Sequence, residues 1–391
     1  WLVAHGRTRS ELRAMFPRDR DRLFFVPDTW INRLLWRIGR TLPHHLDLVT
    51  VTAFAHIYTG LRERRMVRRL VKEMRANVVH QPIPVSAKEP SVMTRLGAPL
   101  VIGPLNGNMD WPPSFPHRDG WITRLALALA RIGAGFFNYL FPGKQQAAAV
   151  LVANERTRRG LPAVRGQIGV MPENGVDLRL WQYDPGTRRN DGVTRFVYLG
   201  RLEELKGVRY LMRAFAIASR RAPMRLEIIG DGSDRAELER MREELDLGDR
   251  VTMAGWVVQE LAAARLAISD VLVMPSLRDC GGAVILEAMA SGLAVIATAW
   301  GGPLDYVDET SGILVPPNDE ESFVNGLAEA MVQLALDPDL RRRMGEAGRR
   351  RVLTEFDWER KVDQMIEVYE AVRAGQPLPQ SVPRALAAAH G

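Results

Sequence analysis

The chain has 391 residues, 46% hydrophobic and 25% charged, a composition that fits a soluble globular protein and a length that suits two packed domains better than one. A single cysteine, Cys280, excludes an internal disulfide framework and suits a reducing compartment. The formal charge of +7, carried mainly by arginine, favours anionic partners (nucleotide phosphates, anionic lipid headgroups or nucleic acid) without choosing among them, and is equally compatible with a solvated basic surface.

In chain order, Leu23 to Val26, Val78 to Val79, Leu100 to Ile102 and Val150 to Ala153 are predicted strands. A helix is predicted over Gly60 to Ala76, with Leu61, Met66, Leu70 and Met74 near one face. Trp121 to Phe141 is the least polar stretch, but Arg124, Arg131 and Asn138 interrupt it, so it reads as a helix lying along something apolar and not as a membrane span. From Leu161-Pro162 to Asp184-Pro185-Gly186 breakers are dense, and the domain boundary is predicted near residue 190. Beyond it the alternation of strand and helix is clearer. Strands are predicted at Phe196 to Leu199, Leu226 to Ile229, Val251 to Met253, Val271 to Met274 and Val295 to Ala297. Helices are predicted at Val208 to Arg221 and Arg235 to Leu245. A last amphipathic helix runs from Asp357 to Val372, with Val362, Met365, Ile366 and Tyr369 on one side, and a proline-rich tail follows. Strands alternating with helices indicate parallel sheets, in which ligands sit beyond the carboxyl ends of the strands.

Four loops leave such ends. Gly200-Arg201-Leu202-Glu203-Glu204-Leu205-Lys206-Gly207 brings two cations near a helix start, an end that itself attracts anions; taken alone, they are also two surface cations capping a turn. Arg278-Asp279-Cys280-Gly281-Gly282 opens the helix Ala283 to Ala290, which carries Glu287. Paired glycines let a ligand approach backbone N–H groups, and Asp279 and Glu287 could accept sugar hydroxyl protons from one elongated ligand. Separately they also read as an N-cap and a surface residue. Gly230-Asp231-Gly232-Ser233 is an incomplete dinucleotide fingerprint and reads better as a tight turn with a helix cap. Trp300-Gly301-Gly302-Pro303 is a fourth glycine-softened turn at the same edge.

With these loops in place, the second half resembles the donor-binding domain of retaining glycosyltransferase family 4, the glycogen-synthase-like group of the GT-B fold. The matching strings are Gly200-Arg201-Leu202 with Lys206-Gly207, Ile229-Gly230-Asp231-Gly232, Pro275-Ser276-Leu277, Leu286-Glu287-Ala288-Met289-Ala290-Ser291-Gly292 and Gly312-Ile313-Leu314-Val315. In the first half, Asn154-Glu155-Arg156-Thr157, Pro172-Glu173-Asn174-Gly175-Val176-Asp177, His80-Gln81-Pro82 and Gly103-Pro104-Leu105-Asn106-Gly107 resemble it more loosely. The resemblance implies an α/β, GT-B architecture of two Rossmann-like doubly wound domains facing across a cleft. The acceptor-side domain would cover residues 1–190, without the family's first strand and glycine-rich loop. The donor domain would cover 191–356, the returning helix 357–373 and the tail 374–391. A chain starting at Trp1 reads as a fragment or processed form.

The resemblance further implies roles. Arg201 and Lys206 would hold the donor diphosphate, Glu287 the ribose hydroxyls, and Asp279 the donor sugar. Gly200 and Gly230 would shape the donor loops, and backbone N–H groups from Gly281, Gly282 and Ala283 would line sugar and phosphate. His80 is the candidate first-domain contact near the reacting sugar. Aspartate stands at Asp279 where the family has its first glutamate, and Gly281 replaces a common phenylalanine, a subgroup mark. No metal and no cofactor are expected beyond the nucleotide-sugar substrate, a UDP- or GDP-sugar.

The expected activity is a retaining, metal-independent hexosyl transfer to a polysaccharide, lipid-linked or other glycan acceptor; the alternative is a non-catalytic nucleotide-sugar binding protein on the same scaffold. Basic Gly60 to Ala76 and apolar Trp121 to Phe141 are two candidate contacts with an anionic membrane, against ordinary packed helices. Nucleic acid is not an expected partner, since aromatics interleaved with basic residues on a recognised module are missing. The expected location is cytoplasmic, with peripheral contact at the inner face of the plasma membrane left open.

Overall fold

In a computed structural model, the structure describes residues 1–41, 51–115, 133, 135–189 and 191–382. The chain divides into two compact units. Unit 1 comprises Trp1–Asn108, His117–Glu173 and Met365–Gly391, and unit 2 comprises Met109–Pro116 and Asn174–Gln364.

Unit 2 is built on a parallel sheet of β7 (Thr194–Leu199), β8 (Met224–Ile229), β9 (Val251–Gly255), β10 (Val271–Met274), β11 (Ala294–Thr298) and β12 (Gly312–Val315), in the order β12-β11-β10-β7-β8-β9. Every residue of β10 and β11 is buried. Strands covered on both faces must be apolar throughout, which is why these two read as unbroken hydrophobic runs. The strand order reverses between β7 and β10, the arrangement of a doubly wound sheet with its ligand crevice at the reversal.

Helices cover both faces, among them α4 (Val208–Ala218), α5 (Arg235–Glu244), α6 (Gln259–Ala267), α7 (Ala283–Ala290), α8 (Glu320–Leu336) and α9 (Pro338–Arg351). The Asp319 carboxylate accepts from Ser322 N at 2.8 Å and caps α8; Asp337 does the same for Leu340 N ahead of Pro338, fixing the start of α9. Phe115, far upstream in sequence, lies in this core and meets Tyr210 and Phe323 edge to face, with ring centroids 5.4 and 5.8 Å away.

Unit 1 holds a parallel sheet in the order β3 (Val79–Gln81), β4 (Leu100–Leu105), β5 (Ala149–Val152), β6 (Gln167–Val170), and a parallel pair of β1 (Leu2–His5) and β2 (Leu23–Val26). Beside them lie α1 (Arg9–Met15), α2 (Trp30–Gly39) and α3 (Ala53–Met74). One face of the larger sheet, Val101, Ala149 and Leu151, is covered by Val368 and Val372 of α10 (Trp358–Ala374) and by Leu378 and Val382.

Several expectations are redrawn by this packing. The division falls between Glu173 and Asn174, upstream of residue 190, because residues after Asn174 already join unit 2: Val176 N donates to Phe356 O at 2.8 Å, and Trp181 is buried in the unit 2 core. β6 lies inside the stretch read as linker, and β1 stands at a terminus where no strand was assigned. The buried side of α10 is Met365, Val368, Tyr369 and Val372, whereas Val362 and Ile366 are exposed, so the apolar stripe is rotated from the one read in sequence. In α3 the apolar Val67, Leu70 and Val71 turn inward while Arg65, Arg68 and Arg69 are exposed. Most of Trp121 to Phe141 lies outside the described residues. No helix among the described residues is long and apolar enough to cross a membrane.

Candidate functional site

The loops after β7 and β8 are fitted to each other by glycine. Gly200 N donates to Ile229 O at 3.0 Å and Gly230 N to Gly255 O at 2.8 Å, extending the ladder past the strand ends. Gly230 has φ 144°, and a Cβ there would stand 1.8 Å from Gly200 O; one at Gly232 would stand 2.3 Å from Leu202 O. Only glycine permits this approach. Leu202 N then donates to Asp231 O, and Asp234 N to Leu202 O, both at 2.9 Å, so backbone bonds hold the turn carrying Arg201 against the next loop. The buried Tyr198 hydroxyl donates to Arg201 O at 2.7 Å, and burial pushes its phenol pKa well up, keeping it a donor. The Arg201 guanidinium is exposed and pairs with Glu203 at 2.8 Å.

The far end of that loop is tied to the segment after β10. Gly207 adopts φ 66°, a Cβ there would lie 2.2 Å from Pro275 O, and Leu277 N donates to Leu205 O at 2.9 Å. This brings the Lys206 ammonium into an ion pair with the Asp279 carboxylate, both side chains largely buried. Asp279 in turn accepts from Gly281 N at 3.3 Å, and its carbonyl accepts from Gly302 N at 2.8 Å. Gly281 is therefore buried support behind Asp279, and the Trp300-Gly301-Gly302-Pro303 turn buttresses it from outside. Gly282, at φ 79°, opens α7.

Between these loops is a cavity of about 270 Å³ lined by Tyr198, Leu199, Gly200, Arg201, Lys206, Met274, Ser276, Asp279, Gly282, Ala283 and Val284. It lies at the carboxyl ends of β7 and β10, where the strand order reverses. Two cations, one carboxylate and the amino end of α7 face one space, an arrangement suited to a doubly charged phosphate group with a hydroxyl-rich neighbour. Gly230 and Glu287 stand outside the lining. The Glu287 carboxyl has no hydrogen-bond or ion-pair partner among the described residues, and burial pushes its pKa up to about 7. Among the described residues no three His, Cys, Asp or Glu side chains are grouped to hold a metal ion.

Ser276 is a lining residue to which the sequence reading gave no role. It is 1% exposed and its hydroxyl has no hydrogen-bond partner. A buried orphan hydroxyl at a cavity wall is a signal that only coordinates supply. Tyr198, Met274 and Val284 likewise read as core from sequence and line the cavity only because β7 and β10 are neighbours.

His80 belongs to unit 1, the other candidates to unit 2. Its Nε2 faces Gly103 O at 2.5 Å and its Nδ1 meets the Tyr369 hydroxyl at 2.8 Å. The carbonyl can only accept, so Nε2 carries the proton and Nδ1 accepts from Tyr369. Burial lowers its pKa, which favours that neutral form, while the Gly103 carbonyl pulls the other way. With both nitrogens engaged, the imidazole braces β3, β4 and α10.

The family model described as Glycosyl transferases group 1 matches residues 181–351. Among curated proteins, the alpha-maltose-1-phosphate synthase of Mycolicibacterium smegmatis is 32% identical over 255 residues, covering 59% of this chain and 65% of its own length. The lipopolysaccharide core biosynthesis glycosyltransferase LpsE of Rhizobium meliloti is 34% identical over 171 residues, covering 44% of this chain and 48% of its own. The chain thus spans less than two thirds of the length of either relative. Among solved structures, the sucrose-phosphate synthase of Thermosynechococcus elongatus superposes with a TM-score of 0.60 at 23% identity, covering 82% of this chain and 80% of that one. Anabaena Alr3699/HepE in complex with UDP-glucose gives a TM-score of 0.55 at 17% identity, covering 92% and 89%. At these identities the likeness is one of fold, the GT-B combination of two Rossmann-like units expected from the sequence.

Proposed function

We propose that this chain, whose residues 181–351 match the family model of glycosyl transferases group 1, is a glycosyltransferase of that kind and moves a sugar from a nucleoside diphosphate donor to a hydroxyl of a glycan or lipid-linked acceptor. The observation that carries the reading is the cavity at the reversal of the unit 2 sheet, where Arg201, Lys206, Asp279 and the start of α7 converge. The UDP-glucose held by the Anabaena protein supports the donor class.

In this reading the diphosphate lies against the amino end of α7, with Lys206 shared between it and Asp279, and Arg201 turned from Glu203 to phosphate. Ser276 Oγ donates to the same anion, and Glu287, ionised, accepts from the ribose hydroxyls. The bond between the anomeric carbon and the phosphate oxygen breaks while the acceptor oxygen bonds to that carbon on the same face. The acceptor's proton passes to the departing phosphate oxygen, and configuration is retained. Two cations and a helix end stabilise the charge that grows on the leaving group, the work a divalent metal does in other sites, so transfer proceeds without one.

Calorimetric titration of UDP-, GDP-, ADP- and dTDP-sugars into the metal-free protein tests this. One nucleotide class should bind saturably, and Lys206→Ala should weaken it by about 2–4 kcal/mol without loss of fold, the cost of losing a desolvated charge contact. Equal binding by parent and variant would remove Lys206 from the donor site. Absence of any binding would remove the donor reading itself.

A further inference from the structure

We propose that α2 is an interfacial helix that seats unit 1 on an anionic lipid surface. The inference does not depend on the donor site, which lies in unit 2. A helix on a globular protein normally turns its apolar stripe to the core. α2 turns Ile31 and Leu35 inward and still leaves a second apolar ridge in solvent. At 100° per residue Trp30, Leu34 and Ile38 form one ridge, and they are 69%, 46% and 42% exposed. Its inward side carries the half-buried Ile31, Asn32 and Leu35 and the buried Gly39, and Asn32 Nδ2 donates to Thr59 Oγ1 of α3 at 2.9 Å. Thr29 caps the helix by accepting from Asn32 N at 3.3 Å and lies 3.4 Å from the Tyr58 hydroxyl, so α2 is fixed on α3 with its apolar ridge outward.

Beside that ridge runs a second, basic one. Arg33 and Arg37 flank Trp30 and Leu34, and Arg40 lies over the exposed Trp36 ring at 4.9 Å. Asp28 is the carboxylate facing this side and pairs with Arg33 at 3.5 Å; Arg37 has no ion pair among the described residues. Tryptophan and aliphatic side chains beside arginines are the composition of a helix lying in the headgroup layer, apolar ridge toward the acyl chains and guanidinium groups among phosphates. The charge decides the occupant. A second copy docking symmetrically would set this arginine ridge against itself, whereas an anionic leaflet supplies the opposite sign. α2 is a segment beyond the two read from sequence, and unlike α3, whose apolar side turns inward, it offers an apolar ridge beside its arginines.

The test is co-sedimentation of the full chain with vesicles of phosphatidylcholine alone or with about 30% phosphatidylglycerol. The parent should bind the anionic vesicles selectively. Trp30→Ser/Leu34→Ser/Ile38→Ser should lose at least about tenfold, and Arg37→Ala about fivefold, with unchanged melting temperature because all four side chains are exposed. Quenching of tryptophan fluorescence by brominated phosphatidylcholine should fall in Trp30→Phe/Trp36→Phe of otherwise equal affinity. Nucleotide-sugar titration of the triple variant should match the parent, separating this helix from the donor reading. The proposal is overturned if neutral and anionic vesicles bind alike or not at all, or if the triple variant binds as the parent does. It is also overturned if the parent is a dimer that the triple variant dissociates, or if an RNA oligomer binds α2 more tightly than the vesicles.

Discussion

Ser276 and Glu287 are polar groups held in unit 2 without partners, and each is a cost of folding that a ligand would offset. Ser276→Ala deletes an orphan hydroxyl from a buried wall, so it should raise the stability of the ligand-free protein by about 1 kcal/mol while weakening donor binding several-fold. Urea melts and calorimetry on the same preparations check the two signs; a loss of both stability and binding would mean the hydroxyl is satisfied within the protein. Glu287 titrates near 7 when folded against an ordinary 4.5. The folded state therefore holds its proton more tightly, and stability falls as pH rises from about 4.5 to about 7, by up to about 3 kcal/mol. Glu287→Gln should be no more stable than the parent near pH 4 and more stable by up to that amount at pH 8. A pH-independent difference would refute the shift. Since the ionised form is the acceptor, nucleotide binding to the parent should strengthen as pH rises through 7.

At the scale of elements, the turns of unit 2 use glycines for two separable reasons. Gly230 combines φ 144° with a backbone oxygen 1.8 Å from any Cβ, whereas Gly248, at φ 47°, has nothing within 4 Å. Gly230→Ala should therefore cost about 3 kcal/mol or more and disturb the Arg201 turn, and Gly248→Ala about 1 kcal/mol, as thermal melts would show. These positions also mark how far sequence reaches. The strands of unit 2 were legible because burial on both faces imposes uninterrupted apolar runs, and the loops because a phosphate-sized space between strand ends requires glycines and cations together. β6, read as linker, is four residues long, Gln167-Ile168-Gly169-Val170, with a polar start and a central glycine, so local pattern could not distinguish it. α2 was missed although Trp30, Ile31, Leu34, Leu35 and Ile38 carry the helical period; that one of its apolar ridges faces out is what pattern alone does not show. Lys206 and Asp279 were each legible, but their pairing was not, because it depends on Gly207 closing against Pro275 across a long separation in sequence.

At the scale of the whole molecule, two buried titratable groups give the units opposite responses to pH. Lys144 of unit 1 is 1% exposed, donates to Ser86 O at 2.6 Å and Ala87 O at 2.9 Å, and burial lowers its pKa to about 7 from 10.5. The unfolded chain therefore binds the proton more tightly above pH 7, so unit 1 gains stability as pH rises from about 7 toward 10.5. Glu287 gives unit 2 the reverse slope at lower pH. Hydrogen exchange, corrected for intrinsic rates, should show opening free energies rising in β4 and β5 from pH 7 to 9 and falling in β10 and β11 from pH 5 to 7. The same slope in both sheets at every pH would contradict this.

Neither unit is one continuous length of chain, and that has a consequence during synthesis. Phe115 leaves the ribosome about a hundred residues before Tyr210 and about two hundred before Phe323, the two rings it packs against. Unit 1 waits longer still: Val368, Val372, Leu378 and Val382, which cover Val101, Ala149 and Leu151, are made more than about two hundred residues after them. Over that interval the nascent chain carries an uncovered apolar sheet face, the kind of surface that chaperones bind, and unit 1, begun before unit 2, closes after it.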